Sequence, residues 1–189
     1  PISLSRTDIF EIIELSKSGR KGPVFIEFCL DVTGTEVKEI SSILRLKPEL
    51  SPKISDLDLA SIEKLLQECE RPLFLFGGGL DRNQVSKVLD EIDKLGVPVA
   101  TTWNGADRYP AERELYAGRP NTYGMRFGNV VIQQSDLLIS LGTRLGLQQT
   151  GFNWQEFLPL GKLVQIEIDE NELLKENPKK YLSIHADEI

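Results

Sequence analysis

Four short runs of largely apolar residues, each stopping at glycine or at small polar residues, constrain this chain more than any other feature. They are residues 72–76 before Gly77-Gly78-Gly79, 97–100 before Thr101-Thr102, 136–141 before Gly142, and 162–168 before Asp169. A strand with one wet face alternates apolar and polar residues; a strand apolar throughout is buried on both faces, and helices must supply the cover. Between the runs lie helical patterns. Leu59, Ile62, Leu65, Leu66 and Cys69 mark one apolar helix face, and Val85, Val88, Leu89, Ile92 and Leu95 a second. A third helix is predicted over about 125–134, a short one near 170–176, and a fifth strand around 181–184. Helix alternating with buried strand is the pattern of an α/β protein: a doubly wound, mostly parallel sheet of five or six strands, Rossmann-like, with helices on both faces. A sixth strand would lie at 115–117.

The first 55 residues differ in character. Ile9, Ile12 and Ile13 follow helical spacing, with Ser5 or Thr7 as N-cap and Gly19 as the stop. The run Val24-Phe25-Ile26-Glu27-Phe28 favours a strand by its β-branched and aromatic content. One helix and one strand cannot bury a core, so residues 1–33 are expected to be part of something larger. Residues 34–55, broken by Gly34, Pro48 and Pro52, read as an extended linker. The chain opens at Pro1 and its single methionine is Met125, so a piece of a longer or processed protein is expected. Residues 56–189 then form the one substantial domain.

The net charge of −7 argues against partners such as nucleic acid or an anionic membrane surface. No apolar run reaches the roughly 18 residues of a spanning helix, and no secretory signal is visible. Two cysteines make no disulfide framework; Cys29 and Cys69 are expected as buried free thiols, consistent with a cytoplasmic location. With one histidine, His185, and no CxxC, metal and triad chemistry have almost nothing to work with, and His185 reads as a strand-end or surface residue. No catalytic residue and no metal ligand is assigned.

In doubly wound sheets ligands collect beyond the carboxyl ends of the strands. Four strand ends carry candidate residues. Gly77, Gly78 and Gly79 lie between a strand and a helix beginning near Asp81, where three glycines point to a ligand-facing loop and a helix N-terminus offers free N–H groups. Arg82 stands where GxGxxG needs its last glycine, and no GK[ST] phosphate loop occurs. Thr101 and Thr102 close the second strand. Gly142, Thr143 and Arg144 bring a guanidinium suited to a pyrophosphate, and Glu167 with Ile168 is placed to meet an adenine or ribose. Together they outline a nucleotide-shaped cleft.

These strings are familiar in combination. GRKGPVFIEFCLDV at 19–32 resembles the closing segment of the pyrimidine-binding domain of thiamine diphosphate enzymes. RPLFLFGGG at 71–79, GVPVATTWNG at 96–105, SDLLISLGTRL at 135–145 and LVQIEIDENEL at 163–173 resemble the central domain of that family in the same order, closest to its acetolactate synthase-like branch. The resemblance implies a parent enzyme acting on 2-keto acids with thiamine diphosphate and Mg²⁺ held outside this chain, since the diphosphate motif begins Gly-Asp-Gly and none occurs here. It further implies the remaining domains as partners, a homo-oligomer when full length, and no carboligase activity in this segment alone. In acetolactate synthases the central domain holds FAD, and some relatives hold ADP. Matched by position, the contacts would fall on Gly77, Gly78, Gly79, Thr101, Thr102, Gly118, Gly142, Thr143, Arg144, Glu167 and Ile168. Leu145-Gly146-Leu147-Gln148-Gln149 stands where FAD-binding members commonly carry an aromatic and acidic residues. The competing expectations are the central domain of a thiamine-dependent decarboxylase or oxidoreductase, and a free-standing nucleotide-binding module.

Overall fold

A strand segment becomes a strand only when its N–H and C=O groups find a neighbouring chain, and the two parts of this protein divide on that condition. The computed structural model describes residues 6–34 and 52–187, in two units, Pro1–Leu50 and Ser51–Ile189. In the first unit, α1 (Arg6–Leu15) forms where the isoleucine spacing predicts it. Gly19 follows in the left-handed region at φ +49°, the expected stop. Ser5, one of the two cap candidates, lies outside the described residues. The strand expected at 24–28 does not form. Those residues have no regular structure, Phe25 is 89% exposed, and no described segment of this unit offers a ladder. Cys29, expected buried, is exposed for the same reason, and a single turn, α2 (Leu30–Thr33), follows. Residues 35–51, most of the expected linker, lie outside the described residues.

The second unit carries the sheet: β1 (Pro72–Phe76), β2 (Val99–Thr101), β3 (Leu137–Leu141), β4 (Lys162–Glu167) and β5 (Leu182–His185), all parallel, in the order β2-β1-β3-β4-β5. The α/β expectation is borne out. The segment at 115–117 joins as one parallel bridge, Val99 to Tyr116, through Val99 N–H to Leu115 O and Ala117 N–H to Val99 O, both 2.8 Å. Counted as a rudimentary strand, it completes the order 3-2-1-4-5-6 of dinucleotide folds. β2 starts two residues later than predicted because Pro98 has no N–H to give the ladder; only its carbonyl takes part, accepting from Phe74 N–H.

Both faces of the sheet are dry. Phe74, Phe76, Val99, Ile139 and Val164 face one side with Leu65 of α3 (Asp56–Glu68), Val85 of α4 (Arg82–Val85) and Ile92 of α5 (Leu89–Lys94). Leu73, Leu75, Ala100, Leu138 and Leu163 face the other, with Ile132 of α6 (Arg126–Gln134), Leu145 and Phe157. Neighbours along β1 therefore fall in opposite cores, which is why its sequence shows no alternation. Ser55 caps α3 by accepting from Asp58 N–H at 3.1 Å. The helix expected to run through Val85–Leu95 is broken in two, where the N–H groups of Lys87 and Val88 turn to the carbonyls three residues back, Gln84 O and Val85 O, both at 3.0 Å. Past β3 come α7 (Leu147–Thr150) and a 3₁₀ turn at Trp154–Glu156; past β4 comes α8 (Glu170–Leu173), shorter than predicted.

The amino ends of the strands are tied by one carboxylate. Asp136 accepts from the N–H groups of Glu70 and Arg71, both at 2.9 Å, joining the entry of β1 to that of β3. Burial alone would raise its pKa; those two amides and the Arg71 guanidinium outweigh it and hold the group below the ordinary aspartate value.

Candidate functional site

β1 leads to β2 on one side of it, and β2 leads to β3 on the other. The carboxyl ends of β1 and β3 are thus where successive connections part, the crevice position of an open α/β sheet. The loops leaving these strands are packed together without side chains between them. Gly77 N–H donates to Leu141 O at 2.8 Å and Gly79 N–H to Gly142 O at 2.9 Å. A Cβ on Gly77 would overlap the Gly142 carbonyl and come within 2.6 Å of Thr143 Cβ; on Gly78 it would lie 2.8 Å from Asn104 Cβ. Gly142 has φ +59°, a conformation that favours glycine, and its own missing Cβ would lie 2.8 Å from Leu80 N. The three glycines are explained by close approach of backbone to backbone.

The outer side of this glycine loop is held by a residue that the sequence reading passed over. Arg108, 28 and 30 positions away, donates from Nε to Leu80 O at 2.6 Å and from its second terminal nitrogen to Gly78 O at 3.2 Å. Its third nitrogen pairs with Asp107, which also takes Arg82. The Asp107 pKa is lowered, first by the hydrogen bond from Arg82 and further by the charges of Arg108 and Arg82, against an opposing effect of burial. Nothing periodic marks Asp107-Arg108 in the sequence; only tertiary partners give the pair its role.

The expectation of free N–H groups beyond the loop is corrected. Asp81 caps α4, its carboxylate accepting from Asn83 and Gln84 N–H at 2.9 and 3.0 Å. The helix is a single turn, so it has no useful dipole, and two of its first three N–H groups are taken.

The other predicted residues lie along the same edge with different roles. Thr101 is fully buried, its Oγ1 has no partner among the described residues, and its N–H donates to Gly118 O at 3.0 Å. Thr102 N–H continues the sheet to Phe76 O, and its hydroxyl accepts from Gly105 N–H at 3.2 Å. Thr143 is buried, and its carbonyl accepts from the Gln165 side chain at 3.0 Å. Glu167 is 5% exposed, with Oε1 turned to the N–H groups of Ile168 and Asp169 at 3.1 and 3.4 Å. The Ile168 carbonyl faces His185 Nε2 at 2.8 Å, and His185 Nδ1 faces Glu170 at 3.1 Å, so the histidine is a strand-end residue bracing this turn. Arg144 alone points outward: it is exposed and has no ion pair or hydrogen bond among the described residues. Leu145 behind it is buried with φ +48°, a strained conformation for leucine. Trp103 and Tyr123, both exposed, have ring centroids 6.3 Å apart.

Among the described residues no group of three or more His, Cys, Asp or Glu is placed to hold a metal ion, and no helix is long and apolar enough to cross a membrane.

Residues 59–188 match the family described as thiamine pyrophosphate enzyme, central domain. The chain belongs to that family. Similar curated proteins carry the name acetolactate synthase. Acetolactate synthase 1, chloroplastic, of Nicotiana tabacum is 32% identical over 182 residues, covering 94% of this chain and 27% of its own length. A probable acetolactate synthase large subunit of Methanocaldococcus jannaschii is 31% identical over 168 residues, covering 86% and 28%. The acetolactate synthase isozyme 1 large subunit of Escherichia coli K12 is 29% identical over 178 residues, covering 94% and 31%. The chain thus spans less than a third of these relatives' length.

Proposed function

We propose that this chain serves as the central domain of a thiamine diphosphate-dependent, acetolactate synthase-like enzyme acting on 2-keto acids, that its role there is structural, and that it is inactive alone. The observation that carries the reading is the family match over 59–188, on a sheet whose carboxyl-edge groups are largely spent on one another. The carbanion chemistry belongs to the thiamine cofactor. With no Gly-Asp-Gly in the sequence and no metal-holding cluster among the described residues, thiamine diphosphate and Mg²⁺ belong to the remaining domains, which are the partners of this one in a homo-oligomeric, cytoplasmic transferase or lyase. Residues 1–33 are read as the tail of the preceding pyrimidine-binding domain and 34–55 as the linker. The purified chain, supplied with thiamine diphosphate, Mg²⁺ and pyruvate, is expected to leave the pyruvate unconsumed; measurable consumption would overturn the proposal.

One observation favours a second reading, in which the domain also takes FAD or ADP. Arg144 is a cation with no internal partner at the switch-point edge, where a pyrophosphate would be held. The donors around it do not complete a cradle. Gly77 and Gly79 spend their N–H groups on Leu141 O and Gly142 O, Asp81 takes those of Asn83 and Gln84, and the Glu167 oxygen that would meet a ribose is turned to its own turn. Titration with FAD and with ADP separates the two readings, tight FAD binding favouring the second.

A further inference from the structure

We propose that Arg108 is a built-in lock on the glycine loop, occupying its outer face so that the loop serves as a structural brace and refuses nucleotide phosphates. This rests on the structural role proposed above and deepens it. A phosphate cradle needs several backbone N–H groups converging on the anion. Here the loop has the opposite polarity. Its inward N–H groups, on Gly77 and Gly79, are bonded to Leu141 O and Gly142 O. Toward its outer side it presents two carbonyls, Gly78 O and Leu80 O, and both are taken by the one guanidinium.

That guanidinium is not left as a free positive charge. Arg108 is paired with Asp107, its side chain is only 14% exposed, and Asp107 is shared with Arg82. An anion entering the loop would meet two carbonyl oxygens and the carboxylates of Asp81 and Asp107, against the Gly78, Asp81 and Arg82 N–H groups, which have no partner among the described residues but do not include the Gly77 and Gly79 amides a cradle would need. Displacing Arg108 to make room would strip both carbonyls of their donor at once and leave Asp107 to Arg82 alone. Lysine could not replace it, because a point charge on a flexible stem cannot serve two carbonyls and a carboxylate from one plane.

Hydrogen exchange at residues 77–80 of the 189-residue chain tests this. With saturating FAD or ADP, exchange there is expected to stay as in the ligand-free chain; clear protection of 77–80 by either nucleotide overturns the lock while leaving the central-domain assignment intact. Without ligand, Arg108→Ala is expected to speed exchange at Gly79 and Leu80 on the order of tenfold, and Arg144→Ala to leave it unchanged. Unchanged exchange in Arg108→Ala overturns the proposal. Should that variant fail to fold, Arg108→Lys is expected to show the same acceleration to a smaller degree, and wild-type exchange there is an overturning result for it too. Pyruvate consumption by the chain would instead defeat the inactive structural role, so the two failures are distinguishable.

Discussion

The turns leaving β1 and β3 begin alike, with an apolar strand running into glycine, and end in opposite conditions. After β1 most polar groups have a partner: the Gly77 and Gly79 N–H groups on Leu141 O and Gly142 O, the Gly78 and Leu80 carbonyls on Arg108, and the Asn83 and Gln84 N–H groups on Asp81. After β3 the backbone is strained at Leu145, and the Arg144 guanidinium is left to solvent. A glycine-rich strand end is therefore no index of a ligand site by itself. What differs is whether other parts of the chain supply charges to fill it.

The largest test of this contrast is steric. Gly77→Ala places a methyl group against backbone of the β3 turn, which cannot yield as a flexible side chain does. Destabilisation of about 3 kcal/mol, or loss of folding, is expected in denaturant titration. Gly146→Ala, in the β3 turn with nothing within 4 Å of the added Cβ, is expected within about 0.5 kcal/mol of wild type. Next, Leu145→Ala keeps the strained backbone but removes the side chain that anchors it in the core, at a cost of about 2 kcal/mol in the same measurement.

A smaller effect depends on pH. The folded Asp107 pKa lies below the ordinary aspartate value, so its contribution is fully present above about pH 4 and fades as pH falls through the depressed folded value. The melting-temperature difference between wild type and Asp107→Asn should hold from neutral pH to about 4 and shrink below it. A difference constant down to pH 2 would remove Asp107 from the account. Last, Arg144→Ala should change stability by no more than about 0.5 kcal/mol, because it breaks no internal contact; a larger loss would mean that the open side is as spoken for as the closed one.

The sheet was legible because burial on both faces leaves a mark that needs no partner to be read: Leu73–Phe76 and, save for Ser140, Leu137–Leu141 are apolar whatever lies beside them. The same logic misled at 24–28, where Phe25 and Phe28 carry strand propensity but the ladder itself is missing within the described unit. The candidate site was legible in position and not in condition. Gly77–Gly79 and Gly142–Arg144 do meet at the switch point, yet the groups that decide what the loop can hold, Asp107 and Arg108, come from an irregular stretch about 30 residues downstream. Their partners are fixed by how 103–117 folds over the loop, which no local spacing encodes. Tyr109, fully buried with its hydroxyl on Asp93 beneath Arg113, anchors that stretch. Burial first, and then the Asp93 hydrogen bond, raises its pKa, so the phenol stays a neutral donor throughout the physiological range.

The two margins of the sheet carry one more consequence. On one side β2 is followed by a single bridge at Tyr116; on the other β5 is four residues long, preceded by Lys179 and Lys180. Among the described residues neither margin offers a flat, extended row of free backbone groups on which a further chain could build. The width of the sheet is self-limiting, because the edge left at each margin is too short to template a further strand.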